Sequence, residues 1–351
     1  MSRLTSSALP SADEALDRDR KAEHIRLGLD CRMQLEAHYF EQYAFPHAAL
    51  PEINFAEIDT SVEFLGKRLQ APLLISCMTG GTDSAAAINR NLAAAAEKAG
   101  VALGVGSQRR ALEDPETAAS FEVRSSAPTA ALLANLGAVQ LNYGCGIDEC
   151  RRVVEMIGAD ALVLHLNPLQ EAIQPEGQVD FSNLLPKMAA IVSEIEVPVI
   201  AKEIGCGISA ATGRELARIG IEIVDTAGLG GTCGARIEGA RADDLELGEL
   251  FADWGIPTPD SIRELSGVAG LRVIGSGGLR NGIDGAKAIA LGSSLFGMAY
   301  PFLAAATVSA EVVVERIERV VHELKICMFC LGCRDLESLR AVELVRRPRT
   351  S

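Results

Sequence analysis

The chain has 351 residues, of which 48% are apolar and 23% are charged, and its formal net charge at pH 7 is −14. This composition is that of a globular protein and excludes extensive disorder, and the length allows one large domain or two ordinary ones. The negative charge argues against non-specific nucleic-acid binding, and an aromatic content of 4% argues against a platform that stacks single strands. We therefore expect no nucleic-acid partner.

The N-terminal part of the chain carries no apolar stretch that would serve as a secretion signal. Residues 1–19 are rich in Ser and Asp and predict a disordered leader. Apolar runs elsewhere are short and interrupted, so we expect no membrane helix. The nine cysteines are then expected to be reduced thiols in a cytoplasmic protein.

Short apolar runs recur from residue 72 onward, and each is followed by an Ala-rich stretch with helical character. The runs are PLLISC (72–77), VALGVGS (101–107), ALLANLG (131–137), ALVLHLN (161–167), PVIAKEIG (198–205), IEIVDTAGLGG (221–231), RVIGSGG (272–278) and SLFGMA (294–299). Continuous apolar runs are typical of strands buried on both faces of a parallel sheet. Eight strand–helix units predict an α/β fold, the (β/α)8 TIM barrel, as a single domain.

A doubly wound open sheet is the alternative, but it would carry one glycine-rich loop near its start rather than polar residues after every strand. The spacing between residues 221 and 272 leaves room for an inserted loop or helix around Trp254. We predict an N-terminal segment at 20–71, the barrel with a closing C-terminal helix at 72–335, and a polar tail at 336–351. That the N-terminal segment contributes to the substrate site is implied only by the family resemblance given below.

The predicted strand ends carry most of the polar residues that offer chemistry, and in a barrel these ends meet on one face. The seventh and eighth ends, SGGLRNG and GMA, resemble a phosphate site built from backbone N–H groups and one Arg. Lys202 at a buried strand end either neutralises an anionic flavin edge or pairs with Glu203 or another acid in a structural role. His165 is either a satisfied core histidine or part of a polar site with Asn167, Gln170 and Glu171.

Glu171 is the best metal candidate, because one carboxylate with waters and a diphosphate is the usual way to hold Mg²⁺. No group has the spacing of a zinc site. Cys327, Cys330 and Cys333 have the spacing of part of an iron–sulfur ligand run, but Glu337 stands where a fourth cysteine would be expected. Three thiols on a helix and turn are the simpler interpretation.

The motifs MTGGTDS, GVGSQR, ANLGAVQL, HLNPLQEAIQPEG, KEIGCGIS, DTAGLGGT, SGGLRNGIDGAKAIALG and GMAYPFL resemble those of type 2 isopentenyl-diphosphate isomerases. The N-terminal Arg20-Lys21-x-x-His24 also matches, and the resemblance covers about residues 20 to 335. It implies an FMN-dependent barrel enzyme that interconverts isopentenyl and dimethylallyl diphosphate with reduced FMN and Mg²⁺, the flavin being reduced by NADPH. It also implies a homo-oligomer, a tetramer or an octamer.

The resemblance implies roles residue by residue. Gln170, His165 and Asn167 would be catalytic, and Glu171 would hold Mg²⁺. The substrate would be bound by Arg20, Lys21, His24, Ser107, Gln108, Arg109 and Gln170. FMN would be surrounded by Cys77, Met78, Thr79, Ser107, Asn135, Lys202, Thr232, Gly277, Gly278, Arg280, Met298 and Ala299. Because no pair of protein acids is obviously placed for both proton transfers, the reduced flavin is expected to act as the acid–base catalyst.

Three other functions fit parts of the sequence. GLGGTC at 228–233 resembles the loop that carries the nucleophilic cysteine of IMP dehydrogenases, here Cys233. A hydroxy-acid oxidase would need a histidine base late in the barrel, and no histidine lies between His165 and His322. A phosphate-binding scaffold without catalysis is the third alternative, and the density of polar residues at the strand ends argues against it.

Overall fold

The computed structural model describes residues 23–347 and contains a closed parallel barrel of eight strands. The strands, numbered in barrel order, are β1 Leu73–Ile75, β2 Ala102–Gly104, β3 Leu132–Gly137, β4 Ala161–Leu166, β5 Val199–Glu203, β6 Ile223–Asp225, β7 Arg272–Ser276 and β8 Leu295–Met298. β8 pairs with β1, which closes the ring. The predicted (β/α)8 fold is confirmed, with each strand inside one of the eight apolar runs.

Helices surround the barrel. Residues 23–29 are helical (α1), and the others are α2 Asp83–Ala99, α3 Arg109–Glu113, α4 Ile147–Ile157, α5 Pro168–Ile173, α6 Leu184–Glu194, α7 Ala210–Arg218, α8 Gly234–Arg241, α9 Leu245–Leu250, α10 Thr258–Ser266, α11 Gly282–Ala290, α12 Tyr300–Ala306, α13 Ala310–Leu331 and α14 Leu336–Arg340. Three helices, α8 to α10, occupy the predicted insertion between β6 and β7. The predicted closing helix is α13, which begins at the N-cap Ser309 and ends before Gly332 in the left-handed conformation. Within residues 23–347, no helix combines the length and apolarity that crossing a membrane requires.

Two apolar layers hold the barrel. Leu74, Val163 and Ile274 belong to the cluster inside the ring, and Phe64 and Leu69 of an antiparallel hairpin (Val62–Phe64 with Lys67–Leu69) join it. A larger cluster fills the space between the strands and the outer helices. The hairpin therefore packs against the barrel interior, and the opposite, C-terminal end of the strands is left for the polar residues.

The C-terminal region differs from the predicted polar tail. Leu336 and Leu339 of α14 are buried, and Val345–Arg346 pairs antiparallel with Tyr43–Ala44. The two leucines are three residues apart on one helical face, so the segment has an apolar side that the overall polarity concealed. The predicted leader at 1–19 lies outside the described residues.

Candidate active site

A pocket of about 400 Å³ opens at the C-terminal ends of the strands. It brings together eighteen residues that the sequence placed in the site, namely His24, Cys77, Met78, Thr79, Ser107, Arg109, Asn135, His165, Asn167, Gln170, Glu171, Lys202, Thr232, Gly277, Gly278, Arg280, Met298 and Ala299. Arg20 and Lys21 lie outside the described residues. The strand ends thus converge on one cavity, as the barrel topology requires.

Gln108 differs from its predicted role in substrate binding. Its side chain is fully buried, its Nε2 donates to the Val153 carbonyl at 2.9 Å, and its Oε1 accepts from the Asn135 N–H at 2.9 Å. It does not line the pocket, unlike its neighbours Ser107 and Arg109. Gln108 therefore fastens the loop after β2 to the adjoining strand and helix.

The loop after β7 packs backbone against backbone on the loop after β6. Gly277 and Gly278 have φ values of 107° and 77°, which side chains other than glycine rarely adopt. A Cβ on Gly278 would lie 2.2 Å from the carbonyl oxygen of Gly230, and one on Gly277 would lie 2.2 Å from that of Gly228. Two successive glycines are thus required by both conformation and space, and they leave a loop of bare backbone at the pocket wall.

Arg280 follows this glycine pair and lines the same pocket. Its Nη2 donates to the Leu35 carbonyl at 2.8 Å, while its Nε is buried without a hydrogen-bond partner in the structure. The Ser76 hydroxyl, also in the pocket wall, is buried without a partner as well. Buried polar groups are normally satisfied, so both groups point to a polar ligand.

Lys202 lies at the end of β5 and is 7% exposed. Its Nζ donates to the main-chain carbonyl of Glu203 at 2.7 Å rather than to the Glu203 carboxylate. That carboxylate instead accepts from the N–H groups of Ile204 and Gly205 at 2.6 and 2.7 Å. Lys202 is also aligned in register with the buried Asp225 on β6. Burial raises the pKa of both Asp225 and Glu203, and the charge of Lys202 opposes that rise in each.

His165 is a neutral imidazole. Burial, together with the charges of Lys202 and Arg109, lowers its pKa to about 3. Its Nδ1 lies 2.8 Å from the Asn135 side-chain oxygen, which only accepts, so Nδ1 carries the proton. His165 therefore offers an unprotonated Nε2 and does not act as a cationic acid near neutral pH.

Glu238 on α8 is a site residue that the sequence reasoning missed. Its side chain is fully buried and accepts from Gln170 Nε2 at 2.7 Å and Arg241 Nη1 at 2.5 Å, and its Oε1 lies 2.9 Å from His24 Nε2. Burial alone would raise the pKa of Glu238, but the contacts with His24, Gln170 and Arg241 hold it at about 2. The group is a carboxylate at neutral pH and fixes the amide of Gln170.

Glu171 is held by a second set of hydrogen bonds. Asn167 Nδ2 donates to its Oε1 at 2.7 Å, and Gln174 Nε2 and the Gln178 N–H donate to its Oε2 at 2.5 and 2.6 Å. Asn167 Nδ2 also reaches Gln170 Oε1 at 3.1 Å. Asn167 thus links the two residues, and its own Oδ1 is buried without a partner.

The described N-terminal segment lies across the mouth of the barrel. The Leu35 N–H donates to the Gly231 carbonyl at 2.9 Å, the Cys233 N–H donates to the Met33 carbonyl at 2.7 Å, and Gln34 Nε2 donates to Thr232 Oγ1 at 2.8 Å. These contacts hold α1 beside the pocket and bring His24 to Glu238. The described part of this segment therefore forms part of the pocket wall, with His24, Ile25, Gly28 and Gln34.

Curated relatives resemble nearly the whole chain. A protein of Nostoc sp. (strain PCC 7120), named isopentenyl-diphosphate delta-isomerase, is 48% identical over 94% of this chain and 96% of its own length. One of Rickettsia bellii (strain RML369-C), with the same name, is 48% identical over 94% of this chain and 98% of its own length. The sequence also matches the FMN-dependent dehydrogenase family over residues 27–127 and 177–346. The chain belongs to the isopentenyl-diphosphate delta-isomerases of the FMN-dependent dehydrogenase family.

This membership confirms the predicted family and the predicted enzyme class, an isomerase, and it supports FMN as the cofactor. Solved structures show the same fold at low sequence identity. A mandelate oxidase with 3,3-difluoro-2-hydroxy-3-phenylpropionic acid has a TM-score of 0.62 at 17% identity and covers 94% of this chain and 98% of its own. A flavocytochrome b2 mutant with benzoylformate has a TM-score of 0.65 at 18% identity, and the match covers 92% of this chain and 78% of that one.

Proposed function

We propose that the protein interconverts isopentenyl and dimethylallyl diphosphate, using reduced FMN and Mg²⁺, with NADPH as the flavin reductant. The observation that carries the proposal is the lining of the main pocket at the barrel mouth. Its walls contain the glycine loop with Arg280 and Lys202, and also the carboxylates of Glu238 and Glu171. The names of the relatives supply the reaction, and the residues of this chain fit it.

The residues present fit a flavin mononucleotide. Gly277, Gly278 and Arg280 would hold its phosphate through backbone N–H groups and a guanidinium whose Nε is otherwise unsatisfied. Lys202 would place a positive charge beside the edge of the ring that becomes anionic on reduction. When bound, reduced FMN supplies a ring nitrogen that can give and take a proton.

The substrate's diphosphate would be met by cations on a chain that is otherwise acidic. Arg109 and Ser107 line the pocket beside His24, whose ring is held by Glu238. Arg20 and Lys21 are assigned to the same group by the sequence motif. Local cations rather than net charge therefore provide the attraction for the diphosphate.

Glu171 would bind Mg²⁺ as the single protein carboxylate, completed by water and diphosphate oxygens. No group of three or more His, Cys, Asp or Glu side chains between residues 23 and 347 is arranged to hold a metal by itself. A metal that needs the substrate's oxygens for its shell would bind together with the substrate. The fixed orientation of Glu171 by three donors suits such a site.

Gln170 would orient the carbon chain rather than transfer protons. Its Nε2 donates a hydrogen bond to Glu238 and its Oε1 accepts one from Asn167, so both ends of the amide are fixed. His165 is neutral and Glu238 is ionised, so neither supplies an acidic proton at neutral pH. The protein thus positions and shields the alkene, and the acid–base chemistry is assigned to the cofactor.

Cys233, which would be the nucleophile in the IMP-dehydrogenase alternative, is not suited to that role. Cys233 is 6% exposed, it caps α8 by accepting the Arg236 N–H at 3.4 Å, and burial raises the pKa of its thiol. It faces a small side cavity rather than the main pocket. A buried thiol with a raised pKa is a poor nucleophile.

The decisive assay incubates labelled isopentenyl diphosphate with FMN-loaded, photoreduced protein under anaerobic conditions, with and without Mg²⁺. We expect dimethylallyl diphosphate to form only with reduced flavin and Mg²⁺. A protein that binds FMN and folds, but yields no product in the complete mixture, would refute the proposal. Replacing photoreduction with NADPH tests the reductant separately.

A further inference from the structure

A second, smaller cavity lies beside the main pocket. The two share Gln170, Ile204, Gly205 and Gly234 in their walls. The rest of the small cavity is lined mainly by apolar side chains and two thiols, with Leu35, Leu169, Cys206, Leu229, Cys233, Ala235, Phe251, Ala252 and Trp254. The polar pocket therefore adjoins an apolar recess.

Gly234 stands at the boundary between the two cavities, and nothing in the fold requires a glycine there. It is the first residue of α8, its φ is not positive, and a Cβ added to it would have no atom within 4 Å. Alanine favours a helix more than glycine does. The missing side chain consequently leaves open space at a residue that lines both cavities.

The size and chemistry of the recess limit what enters it. Its volume is about 20 Å³, and a cavity needs about 10–15 Å³ to hold one water molecule, so the recess takes one or two non-hydrogen atoms. Glu203, the charged residue of the wall, directs its carboxylate to three backbone N–H groups. The recess therefore suits a small alkyl group, not a charged group and not a further isoprene unit.

We propose that Gly234 is a specificity-determining residue and that the site accepts an alkenyl diphosphate carrying one extra carbon on its branch. The inference rests on the proposed function, in which Gln170, part of the shared wall, lies beside the carbon chain. The homologue is 3-ethylbut-3-enyl diphosphate. It gains a proton at the terminal CH₂ carbon and loses one from C2, giving 3-methylpent-2-enyl diphosphate of unchanged formula.

The test compares kcat/KM for isopentenyl diphosphate, the ethyl homologue and a butyl homologue. We expect the unchanged protein to turn over the ethyl compound within about tenfold of isopentenyl diphosphate, because a methylene in an apolar pocket changes kcat/KM by about 10–200-fold when it has no room. The butyl compound exceeds the recess and should not be turned over.

Two variants close the recess from opposite sides. Ala252→Val fills it from the wall away from the main pocket, so it should lower kcat/KM for the ethyl compound by about 10-fold or more and leave isopentenyl diphosphate unchanged. Gly234→Ala places one carbon at the boundary and should lower the ratio of ethyl to isopentenyl turnover. Gly267→Ala, at a helix end outside both cavities, is the matched control and should leave that ratio unchanged.

The outcomes distinguish a failure of the proposed function from a failure of the role of Gly234. No turnover of isopentenyl diphosphate by the unchanged protein would overturn the proposed function. The role of Gly234 would be overturned if the unchanged protein turned over isopentenyl diphosphate but not the ethyl homologue. Equal losses of kcat/KM for both substrates in Gly234→Ala would overturn it too. FMN retention and the melting temperature identify any variant that fails to fold, and if Ala252→Val does so, the ratio in Gly234→Ala decides.

Discussion

Alanine substitution of Gly278 would test whether the close approach of the two glycine loops builds the cofactor cradle. Gly66, in the turn of the hairpin at 62–69, is the matched control. The two residues have nearly equal φ values, 77° and 74°, but a Cβ on Gly278 would lie 2.2 Å from Gly230, whereas one on Gly66 would have no atom within 4 Å. The pair therefore separates conformational strain from steric collision.

The expected magnitudes follow from these contacts. Alanine in the left-handed region costs about 1–2 kcal/mol, so Gly66→Ala should lower the free energy of unfolding by about that amount. Gly278→Ala suffers the same strain and an overpacking cost of about 1–3 kcal/mol more, because both partners are backbone and neither can rotate away. Moving the loops apart would also open the cradle, and an affinity loss of about tenfold for FMN corresponds to about 1.4 kcal/mol.

The assay is urea denaturation of both variants, together with titration of each apoprotein with FMN by flavin fluorescence. We expect Gly278→Ala to be the less stable variant and to bind FMN at least about tenfold more weakly, with Gly66→Ala binding normally. Equal destabilisation of the two variants, with unchanged FMN affinity in both, would refute the reasoning that loop contact shapes the site.

Four further predictions concern the polar residues of the site and of the N-terminal segment. Gln170→Ala should lose turnover yet still bind FMN, and near-normal turnover would remove Gln170 from the mechanism. Glu171→Gln should raise the Mg²⁺ concentration needed for half-maximal activity, and an unchanged titration would reject its role as a ligand. Glu238→Gln should release Gln170 and lower kcat. It should also destabilise the protein by about 1–3 kcal/mol at pH 7, because a buried amide NH₂ would face the donors of Arg241 and Gln170. Equal stability of the variant and the unchanged protein would refute this arrangement. The hydrogen bond with Asp284 raises the pKa of His38, so the bond's stabilising effect is complete below the unfolded pKa of about 6.5 and declines as pH rises through the raised value. The difference in the free energy of unfolding between the unchanged protein and His38→Gln, measured by urea denaturation, should therefore decrease from pH 6 to pH 9. An increase over that range would contradict the stabilising role of the bond with Asp284.

The sequence predicted the barrel because its signal is local and repeated. Each strand, such as Leu132–Gly137, is a continuous apolar run, and burial on both faces of a parallel sheet requires such a run. The positions of Lys202, Gly278 and Arg280 followed, because strand ends in a barrel share one face.

The features that the sequence does not predict depend on contacts between distant residues or on the direction of a single side chain. Gln108 lies between two pocket residues in the sequence, but its side chain turns into the wall toward Val153. Glu238 has no local signal, because its partners Gln170 and His24 are 68 and 214 residues away. The strand at 345–346 has no local signal either, because its partner, Tyr43–Ala44, lies about 300 residues away in the chain.

That last pairing constrains the order in which the chain can assemble. During synthesis from the N-terminus, Tyr43–Ala44 emerges long before its partner, about 300 residues later. Contacts of such sequence separation close late, because the entropy of the intervening loop must first be reduced. The segment at 33–35 has a shorter delay, because Gln34 and its partner Thr232 are 198 residues apart. A nascent chain therefore contains the strands β1 to β6 before it contains the residues that hold the segment at 33–35. His24 likewise meets Glu238 only after 214 further residues, so the entrance to the pocket is built after most of the strands have been synthesised.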